Sequence, residues 1–223
     1  MSDSNFSRIT LWPEGGLAEG LTRRAALAGL SALALGAVAG PAMAAADLSS
    51  EMILNDPEAP VSGNPKGDVT IVSFFDFNCP FCKRTVEPLD KVVRSDGKIR
   101  LVHKDWPILF PTSVYGSKLA LAAKRQGKYD KAYRAMMAID GGRVPESKMR
   151  AAVTAAGIDM ARLERDARRD DAAITKLLKR NNAQAVGLGL QGTPVFLIGQ
   201  FLVASALDEA GFRQVVKDAR EAS

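Results

Sequence analysis

The sequence of 223 residues is poor in the residues that build metal sites and disulfide frameworks. It contains two cysteines and one histidine, His103. A structural zinc site normally takes four ligands, so these three residues are too few for one within a single chain. Two cysteines spaced for catalysis also indicate a fold that does not depend on several disulfide bonds.

Aromatic residues are scarce as well, at 6% of the chain, and the net charge is a modest +5. The densest basic group, Lys176, Lys179 and Arg180, fits a solvated helix face. The sequence has no basic stripe interleaved with aromatic residues and no recognised nucleic-acid-binding motif. It therefore gives no indication that the protein binds nucleic acid.

A mildly apolar run follows Arg23 and Arg24 and leads to the small residues of Ala42–Ala44. A basic region, an apolar run and a small-x-small site predict an export signal over residues 1–44. The paired arginines resemble a twin-arginine signal, which would deliver the protein to the periplasm. The alternatives are an ordinary secretory signal that happens to carry two arginines and an uncleaved membrane anchor over residues 25–46.

The remaining sequence fits a lead-in segment followed by one domain. Residues 45–68 are rich in Pro, Gly, Asn and Ser, and they predict a lead-in with a short edge strand at residues 52–54. Residues 69–223 are numerous enough to bury a sizeable core in a single domain.

The two cysteines lie where a strand pattern changes to a helix pattern. Residues 69–77 are apolar on both faces, which is typical of a buried strand. From Cys82 onward, apolar residues fall on one helical stripe that continues past Pro88. Pro80 fits the first position of this helix, where its missing N–H would have no partner. The pair Cys79 and Cys82 therefore begins a helix that follows a buried strand.

This placement predicts different roles for the two thiols. Cys79 lies at the helix N-terminus, where free N–H groups and the helix dipole favour a thiolate, so we expect an exposed nucleophile with a low pKa. Cys82 lies one turn later on the core-facing stripe and is expected to be the shielded resolving thiol. Lys83 and Arg84 either assist the thiolate or form a solvated basic pair. A structural disulfide is the alternative, but its loop is too short to constrain the unfolded chain much.

Two motifs resemble the thioredoxin superfamily and, within it, the DsbA-like group of exported thiol-disulfide oxidoreductases. They are residues 74–84, FFDFNCPFCKR, and residues 192–196, GTPVF. The resemblance implies an α/β thioredoxin-like fold and a cis bond between Thr193 and Pro194 facing the cysteines. The alternative from the residues alone is a proline that begins a strand and has no active role. Phe81 stands where some DsbA-like enzymes carry a histidine that stabilises the thiolate.

The order of predicted elements agrees with that fold, in which a helical insertion separates a βαβ half from a ββα half. A second strand is predicted at residues 98–103. The insertion occupies about residues 111–187, with helices predicted at 113–126, 129–139, 146–156, 159–168 and 172–186. A hairpin of strands at 195–198 and 201–204 and a final helix through Phe212 complete the pattern.

Other residues allow two interpretations each. Asp76 is a carboxylate on a buried strand that could relay a proton to Cys82, although hydrogen bonding to the turn's N–H groups is the favoured role. His103 could carry a proton, but a packed strand histidine is favoured. In the insertion, Phe110, Met136 and Met137 could line a peptide groove, although such stripes mostly report packing.

The sequence predicts an exported thiol-disulfide oxidoreductase that forms disulfides in periplasmic proteins. Protein thiols and disulfides are its expected substrates, and a membrane redox partner is expected to recycle it. No organic cofactor or metal is implied. The alternatives are a disulfide isomerase or reductase and a peptide-binding chaperone without redox turnover. Isomerases of the superfamily are commonly oligomers with an added N-terminal region, and the short lead-in here weighs against an isomerase without excluding a dimer. A monomer is the favoured state.

Overall fold

A computed structural model describes residues 48–222, so the predicted export signal lies outside the described residues. The elements, in chain order, are α1 (Ser50–Asn55), β1 (Val61–Gly63), β2 (Val69–Phe75), α2 (Pro80–Asp96), β3 (Ile99–Asp105), α3 (Pro111–Ala123), a 3-10 turn (Lys124–Gln126), α4 (Tyr129–Met137), α5 (Glu146–Ala155), α6 (Met160–Arg169), α7 (Asp171–Gly187), β4 (Val195–Ile198), β5 (Phe201–Val203) and α8 (Glu209–Glu221).

The five strands form one mixed sheet in the order β1-β3-β2-β4-β5. β2 and β3 are parallel, in a register that runs from Val69 opposite Ile99 to Phe75 opposite Asp105. The other three pairings are antiparallel. β2, α2 and β3 form the βαβ half, β4, β5 and α8 form the ββα half, and α3 to α7 lie between them in sequence. The predicted fold class is confirmed.

Both faces of the sheet are covered, which explains why β2 is apolar on both alternations. Ile71 faces α2 and α8, where it packs in a cluster with Leu89 and Phe212. Val72 and Phe74 face the opposite way and share a cluster with residues of α1 and α7. At the end of β2 a third cluster joins both cysteines to the interior of the helical insertion. The active-site turn is thus packed directly on the inserted helices.

The lead-in differs from the sequence prediction. Residues 52–54 were expected to form a strand but belong to α1, because the Ser49 hydroxyl caps the helix by accepting a hydrogen bond from the backbone N–H of Met52 (3.2 Å). The edge strand is β1 instead, and its Ser62 lies opposite Leu101 of β3.

The prediction of a fully solvated basic face on α7 is wrong for Arg180. Its side chain is only 12% exposed and forms a bidentate ion pair with Asp56, with nitrogen–oxygen distances of 2.8 and 2.9 Å. The buried Lys104 of β3 lies 3.5 Å from the same carboxylate. Asp56 therefore connects the lead-in to both α7 and β3, and this connection needs partners that are far apart in sequence.

Candidate active site

A turn between β2 and α2 places the first cysteine. β2 ends at Phe75, two residues earlier than predicted, and the backbone N–H of Cys79 donates to the carbonyl of Asp76 (3.1 Å). Asp76 also accepts a hydrogen bond from the backbone N–H of Asn78 on its Oδ1 atom (2.7 Å). The turn is therefore held by both the backbone and the side chain of Asp76.

Cys79 is the N-cap residue of α2, with an extended backbone at φ −82° and ψ 113°. Its sulfur accepts a hydrogen bond from the backbone N–H of Cys82 at 3.2 Å, as the oxygen of a serine or aspartate cap would. Pro80 occupies the first helical turn, as predicted, and the helix continues through Pro88 to Asp96. The free N–H groups of the first turn thus point toward the Cys79 sulfur.

The loop before β4 faces this helix end. The peptide bond between Thr193 and Pro194 is cis, as the resemblance implies. In its thiol form Cys79 donates to the Thr193 carbonyl, with a sulfur–oxygen distance of 3.3 Å. The structure therefore brings together the two stretches of sequence that carry the resemblance, 114 residues apart in the chain.

The surroundings move the pKa values of the two thiols in opposite directions. The pKa of Cys79 is lowered from 9.0 to about 6, chiefly because the Cys82 thiol donates to its thiolate. Burial opposes this effect, while the Thr193 side chain and the backbone N–H groups of Cys82 and Phe81 add to it. The pKa of Cys82 is raised well above its ordinary value, first by burial and then by the neighbouring Cys79. Cys79 thus loses its proton first, and Cys82 retains one.

The expectation of an exposed Cys79 is wrong. Its residue surface is 3% exposed, against 1% for Cys82. The reason is its N-cap position, which turns the sulfur toward the first turn of α2 and against the Thr193 carbonyl. Hydrogen bonds are therefore the main cause of the lowered pKa of Cys79, whereas burial is the first cause of the raised pKa of Cys82.

Asp76 is fully buried, and backbone N–H groups occupy both of its oxygens. Oδ2 accepts hydrogen bonds from Ile108 (2.8 Å) and Leu109 (3.0 Å) in the segment that leads into α3. With Asn78 on Oδ1, the carboxylate holds three backbone donors. These bonds favour the structural interpretation of Asp76 over a proton relay, since they position both the active-site turn and the start of the insertion.

Asn78 makes a second connection of the same kind, which the sequence pattern did not predict. Its side chain donates to Thr112 Oγ1 (3.0 Å) and Ser113 Oγ (2.8 Å) and accepts from the backbone N–H of Val144 (2.8 Å). Asn78 is fully buried, although it directly precedes Cys79. A polar amide inside an otherwise apolar stretch was the signal that could have identified it.

The side chains that follow the cysteines have distinct surroundings. Phe81 is 54% exposed, and the guanidinium of Arg84 lies 4.4 Å from the centre of its ring. Lys83 donates to the carbonyls of Ile139 and Gly141, both at 2.6 Å. Burial lowers the pKa of Lys83, while nearby Asp140 and the Cys79 and Asp76 groups oppose that shift. Lys83 thus fixes the loop after α4 beside the active site.

Two grooves border the active-site helix. One, of about 630 Å³, lies beside the cis bond between Phe81, Leu190 and Pro194, and its lining carries no charged side chain. The other, of about 580 Å³, lies between α2 and the end of α4 and includes Lys83 and Arg84. The first groove offers apolar surface to a polypeptide lying across Cys79, whereas the second is lined by charges of both signs.

Of the other groups singled out in the sequence, Met136, Met137 and His103 lie in the interior and Phe110 does not. Met136 is 1% exposed and Met137 is 3% exposed, so they mainly pack the insertion core. Phe110 is partly exposed and stacks under Arg143. His103 is buried among aromatic rings and contacts the Ser62 hydroxyl through Nε2 at 2.7 Å, as expected for a packed strand histidine. Burial lowers its pKa to about 4.

Within residues 48–222, no group of three or more His, Cys, Asp or Glu side chains is arranged to hold a metal ion. The reactive groups of this site are two thiols, Cys79 and Cys82, whose pKa values are shifted in opposite directions. Such a pair can exchange disulfides, since one sulfur attacks or leaves as a stabilised thiolate and the other closes or opens the ring.

Most of the chain matches one family of known proteins. The family model described as thioredoxin matches residues 55–218. A thioredoxin-like oxidoreductase from Silicibacter pomeroyi DSS-3 is 36% identical, with a TM-score of 0.73 over 78% of this chain and 99% of that chain. The thiol-disulfide exchange protein alpha-DsbA2 from Wolbachia pipientis is 28% identical, with a TM-score of 0.70 over 78% of this chain and 91% of that chain.

A periplasmic thioredoxin-like protein from Salmonella enterica serovar Typhimurium is also similar, at 25% identity and a TM-score of 0.67 over 76% of this chain and 94% of that chain. Among curated proteins, Na(+)/H(+) antiporter NhaA 1 of Mycobacterium sp. (strain KMS) is 26% identical over 147 residues, which are 64% of this chain and 24% of the antiporter. The chain thus spans about a quarter of the length of the curated relatives it matches. None of the helices within residues 48–222 is long and apolar enough to cross a membrane.

Proposed function

Because this chain belongs to the thioredoxin family and is a DsbA-like oxidoreductase, we propose that it catalyses disulfide formation in exported proteins through Cys79 and Cys82. One observation carries the proposal. The Cys79 sulfur caps α2, accepts the Cys82 N–H at 3.2 Å, and has a pKa lowered to about 6 by the Cys82 thiol that donates to it. A thiolate stabilised in this way is a good leaving group in disulfide exchange.

In the oxidising direction, a substrate thiolate attacks the Cys79 sulfur of the Cys79–Cys82 disulfide. The bond between the two enzyme sulfurs breaks, and the Cys82 sulfur takes up a proton. A second substrate thiolate then attacks the substrate sulfur of the mixed disulfide and releases Cys79 as a thiolate. The substrate loses two electrons and forms one disulfide, while the enzyme gains two electrons.

The environment of each sulfur supports this order of events. The raised pKa of buried Cys82 favours its protonated form, so the reduced enzyme holds its remaining proton there. The lowered pKa of Cys79 stabilises the charge that leaves in the last step. In the reducing direction the same properties make Cys79 the attacking nucleophile and Cys82 the resolving thiol.

The residues around the pair are assigned supporting roles. Pro80 begins the helix, the Thr193 side chain lowers the pKa of the nucleophile, and Pro194 shapes the loop opposite it. Phe81 presents an exposed apolar ring at the site and supplies no ionisable group. Asp76 is assigned the structural role, because its two oxygens are occupied by backbone donors.

The sequence and the similarity to a periplasmic protein support the cellular setting that we propose. We assign the protein to the periplasm, with residues 1–44 as a twin-arginine-like export signal. Protein thiols are its substrates, a membrane redox partner reoxidises it, and it acts as a monomer. An isomerase or a reductase would use the same chemistry in another direction. The redox pair leaves a non-redox chaperone without support.

The experiment that tests the proposal follows disulfide formation in a reduced, unfolded test protein mixed with the oxidised enzyme. We expect one disulfide formed per enzyme in a single turnover and no activity in Cys79→Ser or in the variant with both cysteines replaced. Cys82→Ser should form no enzyme disulfide but should capture substrate disulfides as mixed disulfides through Cys79. An active double-serine variant would contradict the redox assignment.

A further inference from the structure

Two exposed arginines are stacked on aromatic rings at the rim of the active site. The guanidinium of Arg84 lies 4.4 Å from the ring centre of Phe81, and that of Arg143 lies 5.0 Å from the ring centre of Phe110. A cation within about 6 Å of a ring face is attracted to it, so each guanidinium is held in place without a carboxylate.

Both arginines belong to segments that touch the cysteine motif. Arg84 is in the first turns of α2. The residue after Arg143 is Val144, whose backbone N–H donates to the Asn78 side chain. The residue before it is Gly142, which lies so close to Pro80 that an added Cβ would be 3.4 Å from the proline ring. The two stacked guanidinium groups therefore belong to segments that adjoin the turn carrying Cys79.

Neither guanidinium has an acidic partner among residues 48–222. Most arginines of the domain do, among them Arg134 with Asp90 and Arg220 with Asp68 and Asp96. The loop that precedes Arg143 carries one carboxylate, Asp140, and this group interacts with Lys83. It opposes the lowering of the Lys83 pKa that burial causes. The charges of Arg84 and Arg143 are thus left uncompensated in the described part of the chain.

Exposed apolar side chains precede Phe110, whose ring lies beside the Arg143 guanidinium. Ile108 and Leu109 are 40% and 42% exposed, although large apolar side chains are mostly buried in this domain. Their backbone N–H groups are fixed by Asp76, so this apolar surface is held at a set distance from the active-site turn. A bound segment would therefore meet fixed apolar contacts as well as two positive charges.

We propose that Arg84 and Arg143 select acidic substrates, namely flexible polypeptide segments in which aspartate or glutamate residues flank the reacting cysteine. The inference rests on the proposed function and names its substrate class. Guanidinium groups that are exposed, oriented and free of a carboxylate partner are suited to bind a substrate carboxylate. As positive charges in segments next to Cys79, they also attract an acidic segment as it approaches.

The test compares three synthetic peptides of one length, each with two cysteines, whose flanking residues are glutamate, glutamine or lysine. Each peptide reduces the enzyme disulfide to two thiols and is oxidised to one intramolecular disulfide, so the electrons balance. The second-order rate of this reaction is measured for the wild type, for the Arg84→Gln/Arg143→Gln double variant, and for Arg165→Gln. Arg165 is an exposed arginine of α6 and, within residues 48–222, it also lacks an ion-pair partner. The Arg165→Gln replacement removes one positive charge at a position in α6, outside the active-site rim.

Since flanking charges change the reactivity of the peptide cysteines themselves, the decisive quantity is the glutamate-to-lysine rate ratio relative to that of the double variant. We expect this ratio to be about tenfold higher in the wild type at low salt. It should approach one in about 1 M salt, where charges are screened beyond about 3 Å. Arg165→Gln should retain the wild-type ratio.

Equal ratios in the wild type and the double variant would overturn the inference while leaving the proposed function intact. A loss of the ratio in Arg165→Gln as well would also overturn it, since net charge alone would then be responsible. If no peptide reduces the wild-type disulfide at all, the proposed function fails and the inference fails with it.

Discussion

The Cys79 sulfur lies 3.2 Å from the backbone nitrogen of Cys82, which donates a hydrogen bond to it across the first turn of α2. This bond, together with the donated Cys82 thiol proton, stabilises negative charge on Cys79. These hydrogen bonds act on Cys79, whereas burial is the first cause that raises the pKa of Cys82.

The first prediction concerns the reactivity of the reduced enzyme. Only the thiolate is alkylated, so the alkylation rate of Cys79 should rise through a midpoint near pH 6 rather than near its ordinary 9.0. Cys82 should stay unmodified over the same range, because its pKa is raised by burial and by Cys79. Stopped-flow alkylation followed by peptide mass spectrometry distinguishes the two thiols. A single midpoint above pH 8 for Cys79 would contradict the assignment.

The second prediction separates the two roles considered for Asp76. In Asp76→Asn one side-chain oxygen is replaced by an N–H₂ group that faces a backbone donor, so we expect a loss of about 1–3 kcal/mol in the free energy of unfolding. The shape of the pH profile for disulfide exchange should stay as in the wild type. Surface Asp218, which accepts from the Gln214 side chain, provides the matched Asp→Asn control. A changed pH profile in Asp76→Asn alone would restore the proton relay.

The third prediction concerns Asn78. Asn78→Ala leaves the buried Val144 N–H and the hydroxyls of Thr112 and Ser113 without their present partner. We expect a loss of about 2–4 kcal/mol in unfolding free energy, together with slower substrate oxidation. The control is Asn55→Ala, which removes an exposed side-chain contact with Glu51. A variant as stable as that control would show that the amide does not hold the insertion.

The fourth prediction concerns stability and pH. Asp105 is buried, and burial raises its pKa from 3.8 to about 7, although the Tyr129 hydroxyl donates to it at 2.8 Å. The folded state therefore holds a proton that the unfolded state has released. This contribution is present below about pH 4 and is lost as the pH rises through about 7.

Urea unfolding of the wild type and Asp105→Asn from pH 4 to pH 8 measures this contribution as a difference between the two proteins. We expect the wild type to lose stability relative to the variant as the pH rises, by at most on the order of 4 kcal/mol. The difference is needed because buried His103, whose pKa is lowered to about 4 by burial, acts in the opposite direction. A difference that does not vary with pH would contradict the raised pKa.

Local patterns were sufficient to predict most of the fold. The apolar residues of β2 and the stripe that begins at Cys82 have clear periods, and all five insertion helices lie within a few residues of their predicted bounds. The helix at residues 50–55 was not predicted, because its formation depends on one serine cap, Ser49, and the short segment has no clear period of its own. β1 was missed because three residues with one buried position give little periodic signal.

The finer features of the site depend on contacts between distant residues. The burial of Cys79 requires the Thr193 carbonyl, which is 114 positions away, and Arg180 meets Asp56 across 124 positions. The role of Asn78 likewise requires Val144, 66 residues later. No local pattern contains these pairings. The sequence therefore singled out the two thiols proposed to react, and the structure supplied the groups that hold them.

The most direct test of the central claim is the reduction potential of the Cys79–Cys82 pair. The protein would be equilibrated in glutathione buffers and its free thiols trapped and counted. Because Cys79 is a stabilised thiolate in the reduced form, we predict a potential more positive than about −180 mV, in the range of disulfide donors. A value of about −270 mV, which is typical of reducing members of the fold, would contradict disulfide donation and assign the protein to the reductases.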